Sequence, residues 1–108
     1  MLPLELQTPT EILEGIADRA RAVRLERGWT QRELARRSGV ALATLKRFER
    51  TGRISLERLV AIAMVLGVVQ PLGEWFAPGP ARTLDELERR AALPRRAPRR
   101  RKEPDAQA

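Results

Sequence analysis

Residues 39–49, GVALATLKRFE, decide how the rest of the chain is read. Gly39 suits the end of one helix, because glycine enters the left-handed backbone region at little cost. The spacing after it predicts a new helix over about residues 41–50, stopped by Gly52. At about 100° per residue, Leu45 and Phe48 fall on one side of that helix, and Val40 just before it adds to the same side. Ala43, Lys46, Arg47 and Arg50 fall on the other. Such a helix is either an ordinary solvated one, or one shaped to lie against something negatively charged.

The segment just before it favours the second alternative. Thr30-Gln31-Arg32-Glu33 has the pattern of a capping box and opens a short helix. Leu34 and Ala35 point inward from it, while Gln31, Arg32, Arg36 and Arg37 are mostly exposed. Two short helices joined by a glycine-containing turn form a helix-turn-helix. In that arrangement the second helix enters the major groove of DNA and the first crosses the backbone. A small Ala43 permits close approach to base edges. Arg47 suits guanine O6 and N7, and Lys46 reaches a guanine or a phosphate.

Moving outward, Thr8-Pro9-Thr10-Glu11 is another capping box, and Ile12, Ile16, Ala20 and Val23 then recur at helical spacing up to Gly28. Trp29 reads as packing rather than as a stacking platform. Ser55 caps a fourth helix over residues 56–66, ended by Gly67. Pro71 begins a short fifth turn or helix containing Leu72, Trp75 and Phe76. Residues 1–7 read as a loose arm. The expected organisation is a DNA-binding domain over residues 1–76, then a linker and a short amphipathic helix over 77–93. The Ala77-Pro78-Gly79-Pro80 run marks the linker, and Thr83-x-x-Glu86 is a capping box for the helix. Residues 94–108 are Arg-, Pro- and Ala-rich, bury no apolar surface and read as a disordered basic tail. No strand signal and no internal repeat is present.

Composition narrows the chemistry. The chain has 108 residues, 43% of them hydrophobic but only 4% aromatic, so aliphatic packing must form its core. Lys and Arg number 21 against 14 acids, a net charge of +7, which favours polyanionic partners. Histidine, cysteine and tyrosine are all absent. That removes disulfides, thiolate chemistry and the usual zinc and haem ligands. With only Ser38 and Ser55 as serines, no phosphate-cradling glycine loop, and capping roles for Glu33 and Glu86, no catalytic site, metal site or cofactor is expected. The longest apolar run, residues 59–69, falls short of the ~20 needed to span a bilayer. The basic helices also lack a wide apolar face beside their charges, so membrane binding is not expected. The start, MLPLELQTPT, lacks the pattern of a signal peptide. The expectation is a soluble cytoplasmic protein.

Residues 19–66 resemble the Cro/CI-type helix-turn-helix domain of the XRE family of regulators. The matching residues are Arg24, Thr30-Gln31-x-x-Leu34-Ala35, Gly39-Val40, Thr44-Leu45, Phe48-Glu49 and Gly52. The resemblance implies an all-α, five-helix, lambda repressor-like domain, here with a C-terminal extension, that usually binds palindromic double-stranded DNA as a dimer. It implies that Gln31 and Thr44 touch phosphates while Leu42, Ala43 and Arg47 face bases. The chain departs from the family at Ala41 and Leu42, where Ser or Thr and then Gln are common. The cap of the recognition helix is therefore weakened and an amide reader is lost. Arg47 to guanine, with Leu42 or Ala43 against thymine methyls, is the expected readout. The candidate DNA-contacting set is Gln31, Arg32, Ala41, Leu42, Ala43, Thr44, Lys46, Arg47 and Arg50. Arg24 and Glu49 lie beside core-facing positions, where a charge needs a partner. The resemblance implies that they form a structural ion pair that fixes the angle of the recognition helix.

Two features point to further partners. The fourth helix, LERLVAIAMVL, carries only Glu57 and Arg58 as polar residues, with Leu56, Leu59, Ala63 and Leu66 on one face and Ala61 and Val65 nearly opposite. A small domain rarely buries a helix all round, so part of this surplus is expected to form a homodimer interface. A fifth helix folded back over it is the monomeric alternative. Leu84, Leu87 and Ala91 make a narrow stripe on the helix after the linker. That helix, the Trp-Phe-Ala-Pro segment and the basic tail together look like HipB-type antitoxins. This wider resemblance implies a HipA-type kinase toxin as partner, with repression of the chain's own operon. The tail residues Arg95, Arg96, Arg99, Arg100, Arg101 and Lys102, against Glu103 and Asp105, either add salt-dependent DNA affinity or only solubilise the end.

Overall fold

A computed structural model describes residues 2–96 of the chain. Among them are five α-helices and no strand: α1 (Pro9–Glu26), α2 (Gln31–Ser38), α3 (Leu42–Thr51), α4 (Leu56–Leu66) and α5 (Leu84–Ala91). Short 3-10 helices lie at Leu4–Leu6 and Gln70–Glu74. The expected loose arm thus contains one ordered turn, although its leucines are exposed. The chain divides into two units, Met1–Phe76 and Ala77–Ala108.

In the first unit the helices begin where side-chain oxygens meet otherwise unpaired backbone N–H groups. The Thr8 hydroxyl accepts from the Glu11 amide, and the Glu11 carboxylate accepts in return from the Thr8 amide, both at 3.1 Å. Thr30 and Ser55 cap α2 and α4 in the same way from one side. The expected box at α2 is only half formed. Glu33 turns away from the Thr30 amide toward two guanidinium groups, Arg36 and Arg37, which outcompete one neutral donor. Ala41 caps α3 with backbone alone, having no side-chain oxygen to offer.

The core is small and aliphatic apart from Phe48. Ala17 of α1, Leu34 and Ala35 of α2, Val40, Leu45 and Phe48 in and before α3, and Ile62 and Leu66 of α4 form one buried cluster. α3 packs on α1 and α2, and α4 packs on α2 and α1. The close passage of α3 over α1 is made possible by Gly52. Its φ is +79°, and a Cβ there would stand 2.5 Å from the backbone carbonyl carbon and oxygen of Leu13.

The fourth helix differs from expectation in which residues it buries. Ile62, Ala63 and Leu66 are buried, Leu59 is half-buried, and Leu56 is exposed. Ala61 and Val65, placed on the far side by the sequence, instead pack in part against the core. Part of the apolar surplus lines an open groove of about 350 Å³ between α1, α4 and the segment that follows α4. Ala20, Val23, Leu59, Leu66, Leu72 and Trp75 are among its walls. The 3-10 turn at Gln70–Glu74 half-buries Leu72 but leaves Trp75 and Phe76 exposed, so the fifth segment covers this surface only in part.

In the second unit, Thr83 caps α5 by accepting from the Glu86 amide. The expected return bond is displaced by one residue: Glu86 accepts from the Arg82 amide at 2.6 Å, not from Thr83. Leu84 and Leu87 are exposed, at 70% and 55%. Most of the predicted basic tail, residues 97–108, lies outside the described residues.

Candidate nucleic-acid interface

The outer face of α3 carries the cations without burying them. Ala41, Ala43, Lys46, Arg47 and Arg50 are exposed, and Leu42 and Thr44 are half-buried. Behind them, Leu45 and Phe48 are 0% and 1% exposed. The helix is thus anchored by two fully buried side chains and presents its opposite face to solvent. Leu42 also packs in part against the core, which leaves Ala43 as the more open of the two apolar candidates. Arg32, on α2, is exposed as well.

A second pair of anchors is ionic. Arg24 Nε donates to Glu49 Oε2 at 2.7 Å, and Arg24 Nη2 donates to Glu49 Oε1 at 2.9 Å. Side-chain exposures of 7% and 5% make this a buried, fork-to-fork pair between α1 and α3. Arg24 Nη1 also donates to the Trp29 carbonyl at 2.8 Å, so every arm of the guanidinium is used. Gln31 joins the group, its Nε2 donating to Glu49 Oε1 at 3.1 Å. No buried side-chain nitrogen or oxygen among the described residues lacks a partner. Gln31 is therefore tied to the ion pair, while Arg32, Lys46, Arg47 and Arg50 make no side-chain hydrogen bond or salt bridge to another described residue.

The end of α3 is held by Thr51. Its hydroxyl donates to the Arg47 carbonyl at 2.7 Å and accepts from the Arg53 amide at 3.1 Å. The exposed Arg53 thereby follows α3 at a fixed turn, a position that the helical wheel does not mark because it lies beyond Gly52.

Two of the basic residues of α2 are not freely available. Arg36 and Arg37 both bond Glu33, at 2.7 and 2.8 Å. The Arg37 guanidinium also stacks over the Trp29 ring at 4.4 Å from its centroid. Hydrogen bonding from Arg36 holds the Glu33 carboxyl below the usual carboxylate range, aided by Arg37, and the same contact raises Arg36. Trp29 thus packs partly against the core and partly under a cation, consistent with a structural role.

Among the described residues no group of three His, Cys, Asp or Glu side chains is placed to hold a metal ion, and no helix is long and apolar enough to cross a membrane.

An anchored helix with an exposed cationic face, preceded by a capped helix and a left-handed glycine, defines a helix-turn-helix DNA-binding domain. Residues 21–71 match the family model described as Helix-turn-helix. The domain they build belongs to the XRE-family regulators of Cro/CI type, so the chain is a DNA-binding transcription regulator. A comparison with curated proteins finds no match.

Proposed function

We propose that the chain is a sequence-specific, cytoplasmic, dimeric repressor or autorepressor that inserts α3 into the major groove. The observation that carries this reading is the division of α3 into a fully buried Leu45–Phe48 side and an exposed side bearing Lys46, Arg47 and Arg50. Arg47 reads a guanine, with Ala43, and to a lesser extent the half-buried Leu42, against a thymine methyl. Thr44, Gln31, Arg32 and Arg50 face the sugar–phosphate backbone, with Lys46 on a guanine or a phosphate, and Ala41 allows the start of α3 close approach.

Dimerisation rests on the open groove beside α4. A second copy is its proposed occupant, since a two-fold repeat of the domain would present two recognition helices to one palindromic site.

Selection of binding sites from random duplexes, followed by Arg47→Ala, tests the reading. Loss of about 1–3 kcal/mol concentrated at one base pair is expected. An equal loss on every sequence would reduce Arg47 to a phosphate contact, and no selected sequence at all would remove the proposal.

A second reading is that of a HipB-like antitoxin that chiefly binds and neutralises a HipA-type kinase toxin. The exposed Leu84 and Leu87 of α5 favour it, because an amphipathic helix of this length with an uncovered apolar stripe suits a protein partner. Co-purification of a kinase-like protein that is lost with Leu84→Asp/Leu87→Asp would support that reading, and a chain that purifies alone from its source cells would count against it.

A further inference from the structure

The contact between Gln31 and Glu49 has no counterpart in a simple list of DNA-facing residues. Glu49 is on the recognition helix, its side chain is 5% exposed, and both of its oxygens are occupied by Arg24. Gln31 opens α2 and is half-buried. Its side-chain nitrogen donates to Glu49 Oε1 at 3.1 Å.

The chemistry of the pair fixes which way the amide faces. An ionised carboxylate only accepts, so the Gln31 NH₂, never its carbonyl oxygen, must face Glu49. An NH₂ has two hydrogens. One is committed to Glu49, and the second projects from the same nitrogen at a fixed angle. Because the bond reaches α3, that second N–H lies beside the helix whose exposed face carries Lys46, Arg47 and Arg50. A neutral donor held in place at the edge of a cationic face suits a phosphate oxygen, and holding it in advance spares the entropy of ordering a glutamine on binding.

We propose that Glu49 is a positioning residue for DNA binding: it holds the Gln31 amide so that the free N–H of Nε2 donates to a backbone phosphate. The buried Arg24–Glu49 pair is then coupled to DNA affinity through one hydrogen bond, besides its part in fixing α3. Arg24 contributes by holding Glu49 in one rotamer through two hydrogen bonds. This inference rests on the DNA-binding reading of the α3 face.

The test is a double-mutant cycle in affinity for a selected duplex, using the full chain at fixed salt. Gln31→Ala should weaken binding about tenfold, the scale of one hydrogen bond to a charged group. In an Arg24→Met/Glu49→Leu background, where no oxygen is left to hold the amide, Gln31→Ala should cost little more. The same cycle with Arg32→Ala in place of Gln31→Ala should be additive. An equal Gln31→Ala loss in both backgrounds would overturn the positioning role while leaving Gln31 as a DNA contact. No Gln31→Ala loss beside a clear Arg47→Ala loss would overturn the inference but keep the DNA reading, and no loss from either would overturn both.

Because the Arg24→Met/Glu49→Leu background also alters how α3 is seated, the cycle has a companion measurement in the unaltered chain. In the free protein one Gln31 side-chain amide hydrogen should exchange slowly with solvent and the other quickly. Adding duplex should protect the second. Two rapidly exchanging hydrogens, or a second hydrogen that DNA leaves unprotected, would contradict the proposal even if the double variant failed to fold.

Discussion

Arg24 and Glu49 meet through two hydrogen bonds of 2.7 and 2.9 Å, across a gap of 25 residues in sequence, with both side chains almost completely withdrawn from water. This contact joins α1 to α3 at a depth where neither charge tolerates solitude. Glu49→Ala should therefore lower the unfolding free energy by about 3–5 kcal/mol, since the guanidinium left behind is buried and unpaired. Replacing both members, as Arg24→Met with Glu49→Leu, should recover most of that loss, because no buried charge remains. Urea unfolding followed by circular dichroism measures both. A Glu49→Ala protein within about 0.5 kcal/mol of the parent would show that the pair contributes nothing to stability.

The glycine that ends α3 and the one that ends α2 should respond differently to the same change. Gly39 and Gly52 both have positive φ, +72° and +79°. A Cβ on Gly39 would meet nothing within 4 Å, whereas one on Gly52 would press on the Leu13 backbone at 2.5 Å. Gly39→Ala should cost about 1 kcal/mol, for the left-handed conformation alone. Gly52→Ala adds a clash with main chain that cannot swing aside, and should cost clearly more, about 3 kcal/mol or above. Equal losses in thermal or urea unfolding would mean that α3 and α1 do not approach as closely as the fold requires.

Most of this architecture was legible from local signals. Thr8, Thr30, Ser55 and Thr83 mark helix starts, the glycines mark ends, and the spacing of Leu45 and Phe48 separates the buried from the exposed side of α3. Legibility failed where local contrast was missing. α4 is apolar nearly all round, so a helical wheel has no polar face to fix its rotation, and Ala61 and Val65, nearly opposite the Leu59–Leu66 face, still pack in part against the core. The spacing of Thr30 and Glu33 predicts a full capping box, because spacing says nothing of where two long arginines will reach. The Gln31–Glu49 bond depends on how α2 and α3 cross, which no pattern within either helix contains. The sequence leaves open whether the segment with Trp75 and Phe76 folds back over α4 or meets a second copy, and the structure leaves both side chains exposed after a five-residue 3-10 turn.

Acid should loosen the α2 surface through Glu33. Its folded-state pKa is lowered, first by the hydrogen bond from Arg36 and then by Arg37. A carboxylate depressed in the folded state contributes stability that is present above its unfolded pKa, about 4.3, and is lost as pH falls through the lower folded value. The difference in stability between the parent and Glu33→Gln should therefore be seen near neutral pH and shrink below about pH 4. It should also shrink with added salt, because the group is open to solvent. A gap between the two proteins that persists unchanged to pH 2 would assign the effect of the substitution to something other than the carboxylate charge.

The groove between α1 and α4 gives the proposed dimer a specific address. Val68 and Trp75, at 42% and 54% exposure, stand on its walls and are more open than a core of this size normally leaves such side chains. If a second copy covers them, a charge placed there should separate the copies without unfolding either. Val68→Asp should sediment as a monomer at micromolar concentration while the parent sediments as a dimer, and both should give the same helical circular dichroism spectrum. The variant should still bind a single half-site with the affinity of one domain, but lose the tighter binding to a full palindrome, where linking two recognition helices multiplies their affinities. A parent that remains monomeric both alone and on a palindromic duplex would leave the groove without the partner assigned to it.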